Sequence, residues 1–589
     1  LPLQTTTERA LEAAANFLHT DPLDKSTVSH SHSRKMGSAQ DVNLIHSSTM
    51  EDGCAPFGSR TTVLSVHNEE ETAMLPITVA VGGNKPSGRY ILVAGRADEK
   101  DGLRQAITTG GLKPRVTYRV AGWISLGAGA ERATVRVNLG VDEDDNGNET
   151  LVECGAVCAE ARGWTEIMGA FRLRTEPRSA AVYVHGALAG VDVKVMDLRV
   201  FQTDRKARFR QLRDKTDKAR KRDVVLKLGA ATGAASVRVV QMDSAFPFGT
   251  CINTTVIQNP AFVDFFTNHM DWAVFENELK WYHTEAQQGQ LNYRDADALL
   301  DFCDRLGKRA RGHCVFWSAD GAVQKWVKNL DRDQLTSAVQ SRIQSLVSRY
   351  AGRFPHYDVD NEMLHGRFFR DRLGDEDVPA FMFKEVARLD PDAALFVNDY
   401  NVECANDPNA TPDKYAEQVA WLQSCGAVVR GIGLQGHVSN PVGEVVCGAL
   451  DRLAATGIPV WFTELDVCEP DVGLRAQDLE VVLREAYAHP AVEGVVFWGI
   501  MQGKMWRKDA WLVDADGTVN EAGQTLLNLQ TEWKTDARGN VDGDGNFKFR
   551  GFHGRYVVEV TTATGKQMLK TFTVEKGDNT PLLVDLVDA

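Results

Sequence analysis

The 589-residue chain contains no uninterrupted run of about 18 apolar residues, so none of it reads as a bilayer-crossing helix. Its ten cysteines (Cys54, Cys154, Cys158, Cys251, Cys303, Cys314, Cys404, Cys425, Cys447 and Cys468) include no Cys-x-x-Cys pair. That removes the usual spacing of a structural zinc site and leaves buried free thiols as their reading. Positive charge is not in excess. The 66 Lys and Arg face 80 Asp and Glu, for a net charge of −14 and a pI near 5.6. This argues against nucleic acid as a general partner and is indifferent to a neutral polymer. No glycine-rich phosphate fingerprint follows the first strand of the strand–helix region, which counts against a dinucleotide fold. The opening "LPLQTTTERALEAAANFLHT" has no basic n-region and no continuous apolar core, so no secretory signal is visible in it and the compartment stays open. Sequons at Asn148, Asn253 and Asn409 matter only in a secreted protein.

Hydrophobic content of 43% and charged content of 25% are ordinary for globular chains, and the length suggests several domains. Residues 1–41 read as a flexible polar arm with one amphipathic helix around Glu8–Leu18; His30 and His32 belong to a solvated tail. Residues 42–203 alternate in short runs such as "GRYILVAGR", "RVTYRVAGWISL" and "RATVRVNLGV", which predicts eight to ten strands in a β-sandwich or jelly roll. "VDEDDNGNE" reads as a hairpin tip, because its spacing departs from a calcium loop. Residues 204–245 open with "DRKARFRQLRDKTDKARKR", ten basic residues against three acidic, with Phe209 its one aromatic and no repeated interleaving of aromatics. It reads as a solvated linker helix, followed by a small β hairpin. Residues 534–589 form a β tail with Gly-rich turns.

Between them, residues 246–533 repeat strand then helix. The apolar strands are "PFGTCI", "DWAVFE", "RARGHCVFW", "HYDVDNE", "ALFVNDY", "VVRGIGLQGH", "IPVWFTELD" and "VEGVVFWG". Eight such units predict a (β/α)8 barrel; a doubly wound sheet normally has fewer strands. Active sites of such barrels sit at the C-terminal rim of the strands. There the sequence places Glu276, Asn277, Lys280, His313, Trp317, Asn361, Glu362, Asn398, Asp399, Tyr400, Gln435, His437, Glu464, Asp466 and Trp498, with Trp506 just beyond. One polar strand end means little; seven of eight is a pattern. Two carboxylates on apolar strands divide acid and nucleophile roles when their surroundings separate their pKa values. Indole faces stack on sugar rings, and Asn, Gln, His and Lys hold hydroxyls. The set points to glycoside hydrolysis. Lys280, in the same short stretch as Glu276 and Glu278, is a poor Schiff-base lysine, and His313 and His437 stand alone, without the His cluster of a metal hydrolase. No metal or other cofactor is implied.

The stretches "ENELKW" (276–281), "RGHCVFW" (311–317), "DVDNE" (358–362), "LFVNDYN" (395–401), "GIGLQGH" (431–437), "WFTELDV" (461–467) and "VVFWG" (495–499) resemble glycoside hydrolase family 10, mostly endo-β-1,4-xylanases. The resemblance implies Glu362 as acid/base and Glu464 as nucleophile. It implies Asn361 on the sugar 2-hydroxyl, and His437 and Asp466 hydrogen-bonded to the nucleophile. Glu276, Asn277, Lys280, His313, Trp317 and Gln435 would line the glycone subsites, closed over by Trp498 and Trp506. The implied reaction is retaining hydrolysis of xylan or arabinoxylan by a monomer. A non-catalytic xylan-binding protein and the same mechanism on another β-1,4-glycan are the alternatives. Three departures stand out. Ser318 follows Trp317 where the family has His, Asp360 precedes Asn361 where it has an apolar residue, and "GIMQ" replaces "GVTD" after Trp498. The β-domain resembles a family 22 carbohydrate-binding module, with Lys100 at a frequent Trp position and Tyr118 and Trp123 open to a core or a platform role. The order of module, basic linker, barrel and tail resembles plant members.

Overall fold

The computed structural model describes residues 63–68 (backbone only), 89–107, 109–142, 149–229, 235–578 and 580–587. The expected arm, Cys54, Asn148 and most of the acidic turn lie outside them. Among the described residues no helix is long and apolar enough to cross a membrane.

The eight expected strands of residues 246–533 are all present: β1 (Phe248–Ile252), β2 (Trp272–Phe275), β3 (Arg309–Trp317), β4 (His356–Asn361), β5 (Ala394–Asp399), β6 (Gly431–Leu434), β7 (Val460–Val467) and β8 (Val492–Phe497). Each pairs in parallel with the next, β8 pairs with β1, and the ring is closed. These strands are largely apolar because both faces are covered, by the opposite wall and by the helices outside, and the charged residues they carry, such as Arg311 and Asp358, are buried. The helices begin where the sequence supplies caps. Asp331 and Gln334 form a reciprocal capping box on Arg332–Tyr350, and Thr411 caps Pro412–Ser424, whose first residue is proline.

Among the described residues, the N-terminal region forms two antiparallel sheets. One holds Val63–Asn68, Arg89–Ala94, Val193–Gln202, Thr117–Leu126 and Thr165–Arg172; the other holds Leu103–Ile107, Ser179–His185, Arg132–Asp142 and Glu149–Glu160. Their inner residues share one apolar core, in which Tyr118 is fully buried, stacked on Phe171, and donates its hydroxyl to Gly111 O. Trp123 packs in a separate small cluster with Trp164 and Met196 and is 8% exposed. Neither ring is an open platform.

The expected hairpin in 204–245 does not form. Lys221–Lys227 pairs with Asn546–Phe552 and Leu582–Asp585, whereas Ser236–Ser244 pairs with Asp536–Asn540 and Gly554–Thr561. The two runs enter different sheets of a second, seven-strand sandwich, around Val224, Leu226, Val237, Val239, Phe547, Tyr556 and Phe572. Each run alternates, and a lone hairpin has nothing to bury its apolar face against. The tail strands supply that surface.

The basic helix, Arg205–Arg220, is also not a solvated linker. Arg208 makes a bidentate contact to Glu485 (2.6 and 2.8 Å), and Arg205 reaches Asp478 at 2.5 Å. Arg220 donates to the carbonyls of Tyr487 (2.6 Å), His489 (2.7 Å) and Val492 (2.6 Å). Arg172 of the first sandwich grips the same Asp478 through both oxygens (2.6 and 2.9 Å). Sandwich, helix and barrel are thus joined by desolvated, directional ion pairs on the barrel helix Val472–Ala488. Such pairs specify an orientation more than they add net stability.

Candidate active site

The rim residues converge on two carboxyl groups in contrasting surroundings. Glu464, near the end of β7, is 5% exposed. Asn398 Nδ2 donates to its Oε1 (2.8 Å), His437 Nε2 lies 3.4 Å from Oε2, and His313 Nε2 lies 4.0 Å from Oε1. Burial alone would raise its pKa. The His437 bond and the charges of His313, His437 and Lys280 outweigh burial and hold the carboxyl below the usual range. His437 sits between two carboxylates, with Nδ1 2.9 Å from Asp466 Oδ2. Both neighbours accept, so both ring nitrogens donate. Burial would lower the imidazole, but these two bonds raise it to about 10. Asp466 therefore supports Glu464 through His437 and is itself held by Arg507 at 2.5 Å; it is not the direct partner that the resemblance implied.

Glu362 follows β4 at φ +62°. That left-handed geometry costs a residue with a Cβ about 1–2 kcal/mol. Its N–H donates to Asn398 O (2.9 Å), and its carbonyl accepts from His365 N (3.1 Å) and Gly366 N (2.7 Å). Gly366 has to be glycine, because a Cβ there would lie 2.3 Å from the Ser318 carbonyl carbon. The carboxyl accepts from Trp317 Nε1 (2.7 Å) and Gln435 Nε2 (3.0 Å). Burial dominates and pushes it above the usual range. The two neutral donors oppose that shift, and the charges of Glu464 and Asp399 add to it.

Around this pair, Asn361 Oδ1 accepts from Asn398 Nδ2 (2.9 Å). Asn398 Oδ1 accepts from Thr463 Oγ1 (2.5 Å), so one asparagine ties β4, β5 and β7 together. Lys280 Nζ sits 4.6 Å from the Trp317 ring centre and 5.5 Å from that of Trp498, and His313 meets the same Trp498 edge-on at 5.3 Å. Lys280 Nζ is 3.4 Å from Asn277 Oδ1. Asn253 Nδ2 donates to Glu276 Oε2 (2.6 Å), which places that sequon asparagine beside the site. Trp506 lies 5.1 Å from the His437 ring and is 58% exposed at the mouth.

Asp360 faces neither carboxyl. Ser318 Oγ lies 2.7 and 2.8 Å from its two oxygens, and both residues are buried. Burial, opposed by that bond and by the charge of Arg370, pushes Asp360 up to about 7. Two family departures are therefore one matched pair behind Trp317. By contrast Asp358, two residues earlier, accepts from Arg311 Nη2 (2.7 Å) and lies 2.9 Å from His313 Nδ1. Burial would raise it, but these cations hold it below the usual range. Asn253, Thr463, Arg507 and the Arg311–Asp358 pair were not singled out as site residues from sequence. Asn398 was placed at the rim by its strand-end position, but no role followed for it from sequence.

Two carboxyls of opposite bias thus stand at the C-terminal rim of a closed eight-stranded barrel. A family model described as glycosyl hydrolase family 10 matches residues 237–529, and one described as a carbohydrate binding domain matches residues 42–190. The chain is 47% identical over 555 residues to endo-1,4-beta-xylanase 1 of Arabidopsis thaliana, covering 92% of this chain and 58% of that protein. It is 44% identical over 562 residues to endo-1,4-beta-xylanase 3 of the same plant, covering 92% and 73%. A solved structure of GH10 from Paenibacillus barcinonensis overlays 49% of this chain and 96% of its own at 24% identity and a TM-score of 0.45. The chain belongs to glycosyl hydrolase family 10.

Proposed function

We propose that the chain is a retaining endo-1,4-β-xylanase acting on xylan and arabinoxylan. The observation that carries this reading is the split between the two carboxyls: cations and the His437 bond hold Glu464 below the usual carboxylate range, and burial among neutral donors holds Glu362 above it. Glu464 attacks the anomeric carbon as the glycosidic bond breaks, and Glu362 gives its proton to the departing oxygen. Glu362 then takes a proton from water, which releases the sugar from Glu464 with its configuration kept. That outcome calls for carboxyl groups about 5–5.5 Å apart.

Asn361 has its amide oxygen occupied by Asn398, so its Nδ2 is the group it offers a 2-hydroxyl. Glu276, Asn277, Lys280, His313 and Trp317 line the glycone side, with Trp498 as its wall and Trp506 at the entrance. Gln435 acts on the sugar-facing acid through its bond to Glu362. The N-terminal region is proposed as a jelly-roll carbohydrate-binding module of family 22 type spanning 42–203, and 246–533 as the catalytic domain. Residues 221–244 belong with the tail.

The test is a side-by-side assay of reducing-sugar release from arabinoxylan, cellulose and mixed-linkage β-glucan, with the first-formed anomer followed by NMR. Release from xylan with the β-anomer formed first is expected. An α-anomer would overturn the two-step mechanism, and preference for cellulose would overturn the substrate.

A further inference from the structure

Behind Glu362 two loops are braced against each other. His365 donates its main-chain N–H to the Glu362 carbonyl (3.1 Å). Its ring lies between two carboxylates, with Nδ1 2.6 Å from Asp399 Oδ1 and Nε2 2.9 Å from Asp407 Oδ2. Burial would lower this imidazole, but the two bonds outweigh it and hold it at about 9. It thus stays a double donor. Its flat face stacks on Tyr400 at 3.7 Å with 9° between the planes. Asp399 also accepts from Leu364 N (2.7 Å), and Asp407 accepts from Asn401 Nδ2 (3.2 Å) and Asn409 N (2.9 Å). The segment that presents Glu362 and the loop after β5 are therefore one hydrogen-bonded unit.

The outer side of that loop touches the first sandwich. Ala405 O accepts from Ala156 N, in strand Glu149–Glu160, at 2.9 Å. Gly155 permits the approach, since a Cβ there would lie 2.2 Å from Met168 O and 3.1 Å from Ala405 O. Asn401 (φ +62°) and Ala405 (φ +58°) both hold left-handed geometry. A loop with two such residues keeps its shape only where its surroundings impose it. Arg115 on Asp471 (2.5 Å) and Arg172 on Asp478 and Glu469 keep the sandwich seated at this place.

We propose that His365 is a positioning residue for the proton-donating carboxyl of Glu362, and that the N-terminal sandwich is the outer brace of the same loop. The sandwich is then a working part of proton delivery to the leaving group, besides any binding of polymer. The inference rests on the reading of Glu362 as acid/base.

The experiment compares kcat/KM of the full chain on two aryl β-xylobiosides, one with an acidic phenol that leaves unaided and one with a weakly acidic phenol that needs the proton. H365Q is expected to lose about tenfold or more on the second and less than about threefold on the first, since proton donation matters only where the leaving group is poor. A156P, which removes the N–H given to Ala405, shifts the same ratio by about threefold in the same direction. If A156P does not fold, A405G, which loosens the loop without altering the sandwich, is read in its place. An equal loss on both substrates in H365Q overturns the positioning role, and an unchanged ratio in the folded sandwich or loop variant overturns the brace. E362A separates the two readings. A selective loss on the weakly acidic phenol upholds the acid/base assignment, and an equal loss on both overturns that assignment itself.

Discussion

Glu464 and Asp358 are buried carboxyls held low, whereas Asp360, buried, and Glu362, half-buried, are held high, within one half of one barrel. The first pair looks at Arg311, His313, His437 and Lys280; the second is bonded by Trp317, Gln435 and Ser318. Burial pushes all four upward. Whether the partner is a cation or a neutral dipole decides the direction in which each is shifted. Side-chain type says nothing about charge state here, and neighbours three-dimensionally close but far in sequence say nearly everything.

Removing the proposed nucleophile should have the largest effect. Glu464→Ala is expected to lower kcat/KM on xylan by roughly ten-thousand-fold or more, measured as reducing-sugar release. Asp358→Asn turns the partner of Arg311 neutral and leaves a buried guanidinium uncompensated. A loss of about 3–5 kcal/mol in folding stability is expected, read from the urea midpoint. Asp360→Asn should do the opposite. With a folded pKa of about 7 against an ordinary value of 3.8, the unfolded chain ionises first. Stability from this group is full below pH 4 and is lost as pH rises to 7. The variant should remove that slope and gain on the order of 3 kcal/mol at pH 7, seen in melting curves across pH. His437→Asn takes away the imidazolium beside Glu464. About a 10- to 100-fold fall in kcat/KM is expected. The acid limb of the pH profile should move upward as Glu464 returns toward the ordinary range, while the alkaline limb set by Glu362 stays in place.

The eight barrel strands were legible because strands covered on both faces are continuous apolar runs, and the change to polar residues marked their C-terminal ends. Glu362 and Glu464 were visible as charges where apolar runs stop. Pairing was not visible. Nothing near Val224 or Val237 announces that their partners come after the barrel. The arginines of Arg205–Arg220 read as solvated because Asp478 and Glu485 lie some way along the chain, on another helix. Ser318 and Asp360 were each seen as oddities; only the fold shows that they answer each other.

The second sandwich has its strands on both sides of the barrel in sequence, and this sets an order in time. A ribosome releases Lys221–Lys227 and Ser236–Ser244 well before it has made Asn546–Phe552 or Gly554–Thr561. Until then Leu226 and Val239, fully buried in the finished molecule, have no partners to cover them. The barrel closes the distance. Once its eight strands are shut, Thr535 arrives beside Gln241, joined by Gln241 N–H to Thr535 O at 2.9 Å. The last strands then dock on the early ones. Completion of this sandwich therefore marks that the barrel and the strands after it have been made, and a nascent chain stalled before residue 546 would display an unpaired apolar edge of the kind chaperones recognise.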